Sequence, residues 1–202
     1  MGVLSPQEVP MLETTIESMN ISLGNPFEIR RKNFPNEITF YGPGLKPHST
    51  SEFSGSMKEF VSISVTGNNC ALNCEHCNTK MLDNMLDLPS YDGSLFDMAK
   101  NLQEKGAKGV LISGGSNIRN QVPLLPHIDD MKRIRKELGM VIRVHPGLPD
   151  EETCEALADV GVDGVMLDII GDQETITDVY HLDAKPSDYE AVLERLQRYK
   201  IP

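Results

Sequence analysis

Val61-Ser62-Ile63-Ser64-Val65-Thr66-Gly67-Asn68-Asn69-Cys70-Ala71-Leu72-Asn73-Cys74-Glu75-His76-Cys77 runs an alternating segment into three cysteines spaced C-x3-C-x2-C. Val61, Ile63 and Val65 fall on one side of an extended chain, and Ser62, Ser64 and Thr66 on the other. That period of two predicts a strand with one apolar and one polar face. Gly67 to Asn69 and Asn73 suit tight turning and can offer backbone N–H groups to sulfur. The cysteines therefore open the loop at the carboxyl end of the strand.

Downstream the pattern alternates. Leu95, Met98 and Leu102 recur at helical spacing, with Gly106 as a stop. Gly109–Ser113 reads as a second strand. Ile128, Met131, Ile134 and Leu138 mark a helix stopped at Gly139. Val141–His145 reads as a third strand. Pro149-Asp150-Glu151-Glu152 opens another helix, its acidic first turn suiting the helix dipole, and Gly161 ends it. Gly164–Ile170 reads as a fourth strand, and Pro186 to about Tyr199 as a last helix. Strands alternating with helices predict an α/β fold with a parallel sheet, either an open wound sheet or a barrel. In both, ligands bind at the carboxyl ends of the strands. Ile201-Pro202 stand where a fifth strand should start, so the chain reads as a half barrel or a fragment.

Residues 1–55 form an N-terminal extension and linker ahead of a domain at 56–202. Within the extension, Met11 to Met19 suits a short helix and Glu37–Gly44 an extended segment ending in a turn. Pro43, Pro47 and the Ser/Thr run Ser49–Ser56 suit a linker.

The 202 residues are 39% hydrophobic and 24% charged, with a net charge of −11. That balance argues against a nucleic-acid partner, because phosphates call for clustered Lys and Arg. Lys132, Arg133, Arg135 and Lys136 fall within one helix and read as its solvated face. There is no apolar run of about 18 residues and no basic-then-apolar leader, so the chain reads as cytoplasmic, with no membrane contact. Pro6 also stands where a myristoylation signal wants Ser or Thr.

Three of the four cysteines lie within eight residues, which is a metal-site pattern rather than a disulfide framework. Three thiolates can hold three irons of a cubane cluster and leave the fourth iron open for a ligand. Two other readings remain: a Cys3His zinc site using His76, or a four-cysteine electron-carrying cluster completed by Cys154. Cys154 also sits three residues before Leu157 on a helix stripe, where a small buried residue fits.

Other polar residues gather at strand ends. Ser113-Gly114-Gly115-Ser116 ends the second strand. Arg143 and His145 lie two apart on one face of the third, and a charge there needs a partner. Asp168 interrupts the fourth strand, where Arg143 could pair with it. Asp172, Tyr180 and His181 follow in the next loop.

The cysteine spacing, placed after a strand that opens a βα array, resembles the radical S-adenosylmethionine superfamily. The resemblance implies a partial TIM-like (β/α) barrel truncated after the fourth βα unit. It implies a [4Fe–4S] cluster on Cys70, Cys74 and Cys77, and S-adenosylmethionine chelated on the open iron. Reductive cleavage of that cofactor to a 5′-deoxyadenosyl radical then needs an external one-electron donor. His76, Ser113, Gly114, Gly115, Ser116, Arg143, His145 and Asp168 are the implied cofactor-binding positions. The bare Gly114-Gly115 backbone would approach the methionine amino group, so a bulky Gly115 should weaken cofactor binding and spare the iron. Ser116 stands where many members carry Glu, and His76 where many carry an aromatic residue.

Val61–Cys77, Leu111–Ser116 with Val122-Pro123-Leu124, His145-Pro146-Gly147-Leu148 and Asp163–Leu182 resemble the biotin-synthase-like members. Among these, the likeness is to one subunit of the two-protein lipoyl synthase. It implies sulfur insertion into the octanoyl chain of a carrier protein, together with a second radical subunit. The chain has no second cysteine set, so the sulfur would come from elsewhere.

Overall fold

The computed structural model describes residues 26–33, 35 and 59–202. By its internal contacts the chain divides into two units, Met1–Tyr41 and Gly42–Pro202. In the first, α1 (Pro26–Asn33) carries Glu28 in its first turn and Arg30, Arg31 and Lys32 in its last, the charge order a helix dipole favours. The irregular pattern expected of residues 1–55 gives way to a helix there. The expected helix at Met11–Met19, the extended segment at Glu37–Gly44 and the Ser49–Ser56 linker lie outside the described residues.

The second unit is built on a five-stranded parallel sheet. Its strands are β1 (Phe60–Ser64), β2 (Leu86–Asp87), β3 (Gly109–Ser113), β4 (Val141–Val144) and β5 (Gly164–Val165), ordered β2-β1-β3-β4-β5. The intervening helices are α2 (Leu95–Glu104), α3 (Ile128–Arg133) and α4 (Glu151–Val160), and α5 (Pro186–Arg198) follows β5. This is the α/β, parallel-stranded architecture expected.

Register assigns the two faces. Ser62 lies beside Leu111, Leu111 beside Arg143 and Arg143 beside Gly164. That face is mixed and partly open. The other face carries Ile63, Val110, Ile112, Ile142 and Val144, all with no exposed surface. These pack with Leu95, Met98 and Ala99 of α2, with Met131 and Ile134, and with Leu157 of α4. Each such aliphatic side chain removed from water contributes about 1.5–3 kcal/mol before entropy is subtracted.

Local chemistry sets the helix ends. Ser94 and Asp97 form a reciprocal cap on α2: the Asp97 N–H donates to Ser94 Oγ at 3.2 Å, and the Ser94 N–H to Asp97 Oδ2 at 3.0 Å. Asp150 caps α4 by accepting from the Thr153 N–H at 3.0 Å. The helix expected through Leu138 runs as α-helix to Arg133 and continues as a wider turn over Ile134–Leu138, ending at left-handed Gly139.

Two strands differ from expectation. β1 ends at Ser64 rather than Thr66, because the Thr66 carbonyl and hydroxyl are taken by loop N–H groups. β5 stops at Val165 rather than Ile170. Its ladder ends where β4 ends: the Met166 N–H donates to the Val144 carbonyl at 2.8 Å, and Pro146 has no N–H to extend the pairing. Asp168 therefore lies beyond the sheet. Two-residue β2, too short to show a pattern, pairs Leu86 with Ile63 and Asp87 with Ser64. The Pro202 carbonyl accepts the Val165 N–H at 2.7 Å, beside β5, where another strand was expected to begin. Among the described residues, no helix is long and apolar enough to cross a membrane.

Asp163 ties three elements together. Its Oδ2 accepts from the Ile142 N–H and from Arg135 Nη1, each at 2.8 Å. Burial pushes its carboxyl up, but the Ile142 N–H and Arg135 outweigh it and leave the group below the usual range. Asp163→Ala should cost about 1–3 kcal/mol in urea unfolding at neutral pH. A carboxylate whose folded value is depressed stabilises above its unfolded value and loses that contribution as pH falls through the folded one. The gap between wild type and variant should therefore narrow in acid; a constant gap at every pH would contradict this role.

Candidate functional site

The site begins at the carboxyl end of β1. Ser64 Oγ donates to the Gly67 carbonyl at 2.6 Å and closes the turn. Gly67 is left-handed (φ 58°), and a Cβ there would come within 2.8 Å of Asp87 Oδ1. Beyond this turn the cysteine loop is sewn to the loop after β3. Thr66 Oγ1 accepts the Gly115 N–H at 2.6 Å, and the Ser116 carbonyl accepts the Ala71 N–H at 2.8 Å. A Cβ on Gly115 would run into the Asn69 carbonyl and lie 2.6 Å from Cys70 Cβ, so only glycine lets the loops lie this close.

Cys74 and Cys77 form one tight turn. The Cys74 carbonyl accepts from the Cys77 N–H at 3.2 Å and from the Asn78 N–H at 2.8 Å. Asn73 (φ 46°) and Asn78 (φ 45°) take left-handed conformations, which asparagine tolerates. Cys74 is buried, while Cys70 and Cys77 are partly exposed. The Cys74 thiol is pushed up to about 11, by burial first and then by the Cys77 and Cys70 thiols, so both other sulfurs lie within electrostatic reach of Cys74.

The far flank of the turn is held by the segment after β5. The Val179 carbonyl accepts the Glu75 N–H at 2.9 Å, and the Cys74 thiol donates to the Tyr180 carbonyl at 3.6 Å. The His76 ring lies on Tyr180, centroids 4.6 Å apart. His181 Nε2 is 3.3 Å from Glu75 Oε1. Burial, then Asp168, Cys74 and Cys77, push the Tyr180 phenol up, so these four groups share one region.

The remaining expected positions divide. Cys70, Gly115 and Ser116 line a cavity of about 410 Å³ with Thr66, Asn69 and Gln121. Ser113 and Gly114 serve the framework instead: Ser113 Oγ donates to the His145 carbonyl at 2.9 Å, and Gly114 lies against Thr66. His145 Nε2 faces Asp168 Oδ2 at 3.4 Å. The Arg143–Asp168 partnership considered from sequence is replaced by this pair. Arg143 is exposed, its guanidinium lying across Gly164, where a Cβ would require the flexible arginine to move aside. His76, Arg143, His145 and Asp168 do not border the cavity.

The residues fit a cubane cluster. Three thiols on one loop, two of them near enough to act on the third, are the soft donors iron–sulfur clusters take. Among the described residues, no three His, Cys, Asp or Glu side chains converge on a single-ion site. A cubane asks for one thiolate per iron, so its ligands surround it rather than meet at a point. His76, turned onto Tyr180, is not placed as a fourth donor. Cys154 has no exposed surface and packs with Val192 and Leu196 in a separate cluster, the buried role expected of it.

Tyr189 was missed from sequence, where it reads as one more residue of an amphipathic helix. It is 1% exposed and packs in the same buried cluster as Leu72 and Cys74. Its hydroxyl is a buried polar atom without a partner among the described residues.

A parallel βα sheet with a cysteine loop at its carboxyl edge defines a class: iron–sulfur proteins on a (β/α) framework. The Radical SAM superfamily model matches residues 64–202, and the chain belongs to that superfamily. Members use a [4Fe–4S] cluster and S-adenosylmethionine, which they cleave reductively to start radical chemistry. No curated protein sequence matches the chain significantly. Among solved structures it is similar to methylornithine synthase at 16% identity and a TM-score of 0.51, over 69% of this chain. That likeness shows the fold, and the chain spans 41% of that structure's length.

The close approach at Gly115 revises the expectation for its replacement. Gly115→Val should displace Asn69 and Cys70 and lower iron content after anaerobic reconstitution, measured by iron and sulfide analysis. Full iron loading in that variant would return Gly115 to a role in cofactor contact alone.

Proposed function

We propose that this chain cleaves S-adenosylmethionine with an electron from an external donor and directs the radical to sulfur insertion into a protein-bound octanoyl chain. A second radical subunit and an octanoylated carrier protein are its proposed partners. The observation that carries the radical chemistry is the set of three thiols in one loop, with Cys77 and Cys70 close enough to act on Cys74 and Cys70 opening onto a cavity of mixed lining shared with Gly115 and Ser116. When bound, the cluster supplies the electron that breaks the sulfonium C5′–S bond of the cofactor.

The chain's own residues then bind and place. Cys70, Cys74 and Cys77 are the residues that would hold three irons of the cluster as thiolates. Gly115 keeps the β3 loop against the cysteine loop, so its backbone and Ser116 face the same cavity as Cys70. The side chains of Thr66, Asn69 and Gln121 there are neutral hydrogen-bonding groups, suited to a polar moiety without a preset charge. Beyond the cavity, the His145–Asp168 pair past the ends of β4 and β5 offers hydrogen-bonding groups to a ribose, whereas Arg143 lies across Gly164 at the start of β5. The lipoyl-type substrate is supported by the sequence likeness at the cysteine loop and the strand ends. With Cys154 buried apart from the loop, the inserted sulfur comes from outside this set of cysteines.

Anaerobically reconstituted protein, reduced with dithionite, should convert S-adenosylmethionine to 5′-deoxyadenosine. Alanine at Cys70, Cys74 or Cys77 should bring that yield to background, and Cys154→Ala should retain it. Loss of cleavage in the Cys154 variant alone would overturn the ligand assignment. With octanoylated carrier protein and the candidate second subunit, mass spectrometry should find a sulfur-bearing octanoyl group. Deoxyadenosine without any such product would remove the lipoyl-type reading and leave the radical one.

A further inference from the structure

A buried hydroxyl without a partner is rare, because it gives up water and gains nothing in return. Tyr189 holds such a hydroxyl, and its neighbours point toward its use. It belongs to the buried cluster that contains Cys74 and Leu72, capped by Tyr180. Burial, followed by Tyr180, Asp168 and Cys74, pushes its phenol up to about 12, so it remains a donor at any physiological pH. Asp168 is a poor acceptor for it: that carboxylate is 61% exposed and faces His145.

The donors and acceptors around Cys74 are matched to a thiol. Its S–H donates to the Tyr180 carbonyl at 3.6 Å. Ligation to iron removes that proton to solvent. The sulfur then has nothing to donate and becomes an acceptor in an apolar pocket. The one buried hydroxyl left unpaired in the described structure belongs to Tyr189, whose side chain packs in the same cluster as Cys74 and is near enough to feel its charge.

We propose that the Tyr189 hydroxyl donates a hydrogen bond to the Cys74 sulfur once the cluster is in place, and that this bond raises the cluster's reduction potential. The inference rests on Cys74 being a cluster ligand. Hydrogen bonds to cluster sulfurs favour the reduced state, because one added electron increases the negative charge they share. Tyr189 is thus a positioning residue for electron entry, acting through Cys74.

The test is Tyr189→Phe in the full chain, with Cys74→Ala alongside. Iron-free Tyr189→Phe should melt at the same or a higher temperature than wild type, since it loses only an unpaired hydroxyl. The reconstituted variant should keep its iron, yet its one-electron potential, read by electron paramagnetic resonance during a dithionite titration without S-adenosylmethionine, should shift to more negative values. A full-iron variant with an unshifted potential would overturn the hydrogen bond while leaving the ligand assignment intact. Full iron retention in Cys74→Ala would overturn both. Should Tyr189→Phe fail to fold or load iron, fluorotyrosine at position 189 keeps the hydroxyl and strengthens it as a donor. Its potential should then move the opposite way, and no movement would also refute the proposal.

Discussion

The structure depends on two loops lying closer than side chains normally allow. The cysteine loop after β1 and the glycine loop after β3 touch along Thr66–Gly115 and Ala71–Ser116. The contact exists because Gly115 has no Cβ to strike Asn69 and Cys70. β1 and β3 are already neighbours in full register, Phe60 to Ser64 against Gly109 to Ser113. The stitching therefore extends the ladder past the sheet by borrowing a hydroxyl and a loop carbonyl. Framework and site are continuous: the bonds that end the strand are those that place the first cysteine.

The opposite flank works by a different principle. There the turn from Cys74 to Cys77 is held by burial, with Leu72, Ile176, Leu182 and Tyr189 packed around Cys74. One backbone bond, Glu75 to Val179, fixes the register of that contact. Left-handed Asn73 and Asn78 curve the loop on either side of the Cys74–Cys77 turn, a conformation asparagine tolerates better than a β-branched residue. Thr79, also left-handed (φ 59°), is such a residue, and it carries strain of about 1–3 kcal/mol that the surrounding contacts must offset.

Sequence made the repeating part legible and the unique part only partly so. The period-two stretch at Val61–Val65, the short apolar run at Gly109–Ser113 and the helical stripes were readable because each is a simple burial pattern. The cysteine spacing was readable because few other chemistries put three thiols in eight residues. What failed was tertiary. The apolar run Gly164–Ile170 looks like a long strand, but a strand is as long as its neighbour permits, and β4 stops at Val144. Arg143 and Asp168 look like partners across a sheet, yet the end of β5 sends Asp168 to His145. Gly115 reads as ligand-facing; whether a bare Cα faces cofactor or a neighbouring loop is decided by loops far apart in sequence. Tyr189 carries no local signal at all, since only packing shows that its hydroxyl is unpaired.

The electrostatics of the thiols close the argument from fold to chemistry. Burial first, and the Cys77 and Cys70 sulfurs after it, work against deprotonation of Cys74 and push its thiol up to about 11. A protein using these residues only for packing would gain nothing by setting them together in a chain already carrying a net charge of −11. Iron reverses the sign of the interaction: each thiolate then faces a cation rather than another anion. The same arrangement that resists ionisation in the iron-free chain becomes favourable around a cluster.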